Sequence, residues 1–243
     1  MSKSIGNIGK PTHISRQTEA SEFFALATWW LSLSTFQVED MVDAIVAWPG
    51  IEMKSSTQLA VNMYNNGKAK HLLIAGYHEP EVAGKVFSEQ FLTEEFGLKR
   101  LDSVHTQVHA RHAGMQSNWT AEKFDTLNIK SVILCVPAFH ILRSALGILE
   151  SCRRKGVQVM MFPKCPAISP YKRNLLNIDT GQQDACQMEV IHGEINGGVQ
   201  ERIPAYQREK SPGIPGDNLT TERFLQWLDW LYQQPLIKNQ LME

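Results

Sequence analysis

No block of five like charges occurs in the 243 residues, and 24 Lys and Arg balance 25 Asp and Glu to a formal charge of −1. A chain built to coat nucleic acid needs a strong basic footprint, so that class is excluded. An apolar run of the roughly 20 residues that cross a bilayer is also missing. The longest near the start, 23–36, follows Glu19 and Glu22 instead of a basic segment and precedes no small-residue cleavage site. Neither a membrane span nor a signal peptide is expected, which points to the cytoplasm. Cysteine is sparse: Cys135, Cys152, Cys165 and Cys186, no two of them spaced C-x-x-C. That argues against a zinc ribbon, a thioredoxin-type pair or a disulfide scaffold, and for reduced, mostly buried thiols. The P-loop, the G-x-G-x-x-G turn, H-E-x-x-H and G-x-S-x-G are absent too. A dinucleotide dehydrogenase, a P-loop enzyme and a nucleophile elbow are therefore disfavoured.

What is present is enough apolar material for a core, 43% of residues against 20% charged, in a regular alternation. Short apolar runs at 43–50, 70–77, 102–105, 130–137 and 157–163 read as strands, most bounded by Gly or Pro. Between them, 55–67, 81–97, 116–127 and 139–156 read as helices. Ser55 or Ser56 would cap the first, and Gly67 and Gly156 would stop the first and last. The alternation predicts a Rossmann-like three-layer α/β/α fold with a mainly parallel sheet of about five strands and right-handed crossovers. Further helices are expected at the N-terminus, capped by Thr18 or Ser21, at 184–194, and at 220–234, capped by Thr220 or Thr221. With no internal repeat or low-complexity linker, 1–243 reads as a single domain. It has an N-terminal helical extension (1–40), a core (41–165) and a C-terminal helical and loop extension packed on that core (166–243).

Ligands of open parallel sheets bind outside the carboxyl ends of the strands. Three such ends are visible: Trp48-Pro49-Gly50, Ala75-Gly76-Tyr77 and Val136-Pro137-Ala138. Small residues there let backbone amides approach a ligand, and the helices that follow favour anions. His140 and Arg143 open the helix after the most apolar strand and, at i and i+3, share one face. Either they serve a bound anion, or they are a cap-region residue and a surface charge. His105, His109 and His112 form a denser group, but no carboxylate lies among them, and the expected metal content is none. A metal-dependent hydrolase using that cluster is the weaker alternative. Trp29 and Trp30 fall on adjacent faces of the N-terminal helix, so one is packed and the other more exposed. Trp227 and Trp230, at i and i+3, suit the core or a homodimer contact. A non-catalytic assembly protein is the other alternative.

In order and spacing, "DAIVAWPG", "LAVNMYNNGKAKHLLIAG" and "VPAFHILRSA" resemble the YdcF/SanA/ElyC-like proteins, the domain-of-unknown-function 218 family. The resemblance runs from about Asp43 to Pro163. Ala60, Tyr64, Gly67, Ala69 and Gly76 match its second motif. His140 and Arg143 match the third, with Ser144 where Ala is usual. Thr57 stands where the family often has Arg. At 112–119 the acidic and amide segment is replaced, with His112 and Asn118 in the places of its Ser and final Asn. Without a membrane segment, the chain is most similar to the soluble YdcF branch. The resemblance implies a Rossmann-like domain that binds S-adenosylmethionine or a related nucleotide, with the reaction, if any, unassigned. Taken together, the strand ends and the resemblance give an expected site with His140 and Arg143 in the chemical role, and Pro49, Gly50, Ser55, Ser56, Gly76, Tyr77, His112, Gly114, Asn118 and Pro137 around a small anionic ligand.

Overall fold

Val42–Ala47 is buried at every residue except Asp43. A strand apolar on both faces has to be covered on both. The computed structural model shows how; it describes residues 27–28, 30–33, 41–49, 53–76, 87–108, 110, 112–167, 171, 186, 189 and 218–238. Val42–Ala47 is β1, at the centre of a five-stranded sheet. β2 (Ala69–Ile74) and β4 (Ser131–Cys135) flank it; β3 (Val104–Thr106) lies outside β2, and β5 (Met160–Lys164) outside β4. All four pairings are parallel. Helices α1 (Met53–Asn65), α2 (Glu89–Phe96), α3 (Ala113–Thr126) and α4 (Ile141–Lys155) connect successive strands. This is the Rossmann-like α/β/α arrangement that the alternating patterns predict. Among the described residues, no helix is long and apolar enough to cross a membrane.

Two helices begin earlier than their cap signals suggest. α1 starts at Met53, so Ser55 and Ser56 lie in its first turns and do not cap it. The reason is the sheet-facing stripe of Ser56, Thr57, Ala60, Val61 and Tyr64, all fully buried, which holds the early turns in helical register. α3 starts at Ala113, with His112 as N-cap and Gly114 inside the first turn, not in a loop. Gly67 and Gly156 behave as expected: both have left-handed φ (+73° and +69°), which only glycine adopts without strain. The helix expected at 184–194 and the caps at Thr18 and Ser21 lie outside the described residues, apart from Cys186 and Glu189.

Asp43 ties three strands together at the amino end of the sheet. Its carboxylate accepts from Lys70 Nζ on β2 (2.8 Å), and from the Lys130 and Ser131 amides (2.9 and 3.1 Å) and the Ser131 hydroxyl (3.2 Å) at β4. Burial alone would raise its pKa. The bonds from Lys70, Lys130 and Ser131 outweigh it and hold the carboxyl below its ordinary 3.8.

β5 is an edge strand, and the ends of the chain close it. Met160 N–H donates to Lys130 O, so Val159, Met161 and Pro163 turn their backbone groups outward. Pro163 therefore lacks an N–H where none is needed. Trp227, on α5 (Thr221–Tyr232), donates its indole N–H to Val159 O at 3.0 Å. Trp30, helical with residues 27–28 and 31–33, donates to Met161 O at 2.9 Å. Phe224 joins the two, stacked on Trp227 and edge-on to Trp30. α5 is capped by Thr220, which accepts from Arg223 N–H; a short α6 (Pro235–Lys238) follows. Trp30 and Trp227 are buried within their own chain and Trp230 is half-buried; Trp29 lies outside the described residues. The indoles of Trp30 and Trp227 are thus engaged within the chain.

Two stability predictions follow from this framework. Replacing Asp43 by Asn should lower the unfolding free energy by about 1.5–3 kcal/mol near neutral pH, the range for hydrogen bonds to a charged group. Because the folded pKa is depressed, this contribution is complete above the unfolded value and is lost as pH falls through the folded one. Urea titrations of both proteins should therefore begin to converge below about pH 4 and meet below the folded pKa, and a gap unchanged in acid would refute the charge-based account. Trp30→Phe and Trp227→Phe each leave a strand carbonyl unpaired and should cost about 1–3 kcal/mol in the same assay.

Candidate functional site

From β1 the chain builds outward through β2 and β3, then returns to the other side of β1 as β4. The strand order therefore reverses between β1 and β4, where ligands bind in open α/β sheets. The residues leaving these two strands, Trp48-Pro49 and Val136-Pro137, are all buried.

Backbone bonds fix the turn after β4: His140 N–H donates to Pro137 O and Ser144 N–H to His140 O, both at 2.9 Å. His140 is the N-cap of α4, but its side chain makes no capping bond. Its Nδ1 instead lies 3.0 Å from Ser144 Oγ, one turn along the helix. The ring packs against the Trp48 indole with centroids 5.8 Å apart at 62°, and against Phe139 at 6.1 Å. The ends of β1 and β4 thus meet through an imidazole and an indole. Arg143 is half-buried in the first turn of α4, with its Nε enclosed.

Trp48 is 2% exposed, and its indole N–H has no hydrogen-bond partner among the described residues. A buried donor left unpaired costs about 1–3 kcal/mol and is rare in folded proteins. Thr57, buried on the sheet-facing side of α1, has an unpartnered hydroxyl as well. It occupies the position where the resembling family often carries Arg.

The other expected residues are dispersed. Pro49 and Pro137 close the two strand ends; Gly50 and Tyr77 lie outside the described residues. Ser55 is half-buried and Ser56 buried on α1. Gly76 is bracketed by two glutamines: its N–H donates to Gln107 Oε1 at 2.8 Å, and its carbonyl accepts from Gln116 Nε2. Its amide is therefore already engaged, not open to a ligand. His112 is exposed at the start of α3, and Gly114 half-buried beside it. Asn118 is exposed and accepts from Ser151 Oγ at 2.9 Å. Ser151 stands eleven residues beyond His140 on α4, about 16 Å along the axis at 1.5 Å per residue, so Asn118 does not join the His140 end of the helix. The glutamine pair is what sequence reasoning misses, and Trp48, placed at its strand end, is not among the expected site residues.

Cys135, Cys152 and Cys165 are poor nucleophiles. Burial pushes Cys152 to about 12 and Cys165 to about 11. It raises Cys135 further, with Cys165 nearby adding to the effect. Among the described residues, no three His, Cys, Asp or Glu side chains converge as a metal set. His105 turns toward His71 on β2, and His109 lies outside the described residues.

If Gln107 is what holds the end of β2, Gln107→Ala should destabilise the protein by about 1–3 kcal/mol. It should also speed hydrogen exchange at the Gly76 amide more than at Leu73, and equal protection at both would argue against that role. Comparison of the sequence with protein-family models and with curated proteins finds no match.

Proposed function

We propose that this chain binds a small anionic, nucleotide-like ligand where the strand order reverses, at the carboxyl ends of β1 and β4. The observation that carries the proposal is the Trp48 indole N–H, sealed from solvent without a partner among the described residues and packed against His140. A ligand oxygen from a carboxylate, phosphate or ribose would satisfy that donor. Arg143 would pair with the anionic group, and the amino end of α4 adds a favourable field. His140, with Nδ1 3.0 Å from Ser144 Oγ and its ring packed on Trp48, would line the ligand as a hydrogen-bonding or proton-carrying group.

S-adenosylmethionine, the ligand suggested by the YdcF-like resemblance, fits this chemistry. Its carboxylate suits the Trp48 and Arg143 donors, and its adenine and ribose suit an apolar strand-end crevice. No nucleophile distinguishes itself near His140, so the proposal stops at binding and assigns no reaction.

A thermal-shift screen of S-adenosylmethionine, S-adenosylhomocysteine and nucleoside phosphates tests it. A ligand at one hundred times its Kd should raise Tm by about 5 °C or more. Arg143→Ala and Trp48→Phe should reduce that shift. No shift with any compound, or undiminished shifts in both variants, would overturn the proposal.

A further inference from the structure

A second group of chemistry-bearing side chains lies away from the strand ends. His71 sits in β2 and His105 in β3, and the register pairs Leu73 with His105. Successive side chains alternate between the faces of a strand, so His71, Leu73 and His105 share one face of the sheet. Both imidazoles are half-buried. Their rings stand 5.5 Å apart at 43°, with His71 Nδ1 3.4 Å from His105 Nε2.

At 3.4 Å the two nitrogens are at the long end of hydrogen-bond distance. That separation matches a different geometry. Two imidazole nitrogens bound to one tetrahedral zinc at about 2.0–2.1 Å stand about 3.3–3.4 Å apart. The sheet supplies the rigidity that such a bite needs, because parallel pairing fixes both backbones. Among the described residues, no other hydrogen bond engages either ring.

We propose that His71 and His105 form a two-imidazole site for a borderline divalent cation of the zinc, nickel and copper class, with solvent or an external ligand completing the coordination. Imidazole suits these ions, whereas magnesium and calcium prefer oxygen. His105 is held below its ordinary pKa by burial first, then by His71 and Lys123, against an opposing pull from Glu89. Neutral imidazole is the form that binds metal. Glu89, exposed in the first turn of α2, brings the nearby negative charge. His71 lies five residues before Gly76, about 16 Å along β2, and His105 is registered with Leu73, three residues or about 10 Å before it.

The test is calorimetric titration of the metal-free full chain with zinc chloride near pH 7.5, under reducing conditions. Wild type should bind one equivalent at this site. His71→Gln and His105→Gln should each weaken that binding by about tenfold or more, and the double variant little further. His112→Ala should leave it unchanged, as should replacing zinc by magnesium leave no heat at all. Circular dichroism in EDTA establishes that each variant is folded. Should one fail to fold, copper(II)-loaded wild type decides the matter: electron paramagnetic resonance should show coupling to two imidazole nitrogens. Zinc binding that survives both substitutions, binding lost only on blocking cysteines, or copper without two-nitrogen coupling would overturn the proposal.

Discussion

β1 is the strand on which the remainder of the molecule is registered. It is hydrogen-bonded along both edges and buried on both faces, so its neighbours have little freedom in where they pair. Asp43, the polar residue within it, shows the constraint most directly. Its carboxylate gathers donors from β2 and from the entry to β4. A slip of one residue in either neighbour would separate those donors from the charge and move apolar side chains to the wrong face. The amino end of the sheet is thus pinned by electrostatics, while the carboxyl end is left to other work.

That division explains the character of the carboxyl end. With register settled elsewhere, the strand exits need not be optimised for stability, and they are not. Trp48 keeps an unpartnered buried donor, and His140 begins a helix without capping it. Ser144 and Trp48 hold the imidazole between them. Departures from local good practice at a topological reversal are what a binding site in this fold class would produce. On the β2 side the opposite holds: two glutamine side chains complete Gly76 so fully that it offers no open amide.

The fold was largely legible because its signals are periodic and redundant. Five apolar runs alternating with amphipathic segments admit few arrangements other than a parallel sheet with helices on both faces. Boundaries were less legible where burial competed with capping. Ser55 and Ser56 look like caps, yet the stripe from Ser56 to Tyr64 draws them into α1. The His140 and Arg143 pair could be placed at a strand end from spacing alone. What surrounds it could not, because Trp48, Gln107 and Gln116 act through contacts between distant segments that carry no local pattern. Asn118 illustrates the converse. A loose motif match grouped it with His140, and the helix pairing joins it to Ser151 instead. The His71 and His105 pairing was hidden for a similar reason: 34 positions separate them, and only the strand register makes them neighbours.

The closure of β5 has a consequence for how the protein is made. Sixty-eight positions separate Val159 from the indole that covers its carbonyl. During synthesis the sheet can be complete while Trp227 has yet to emerge, leaving a ribbon of unsatisfied backbone open to any other extended chain. The nascent polypeptide is therefore most vulnerable to association late in translation, and a chaperone that shields strands would act in that interval.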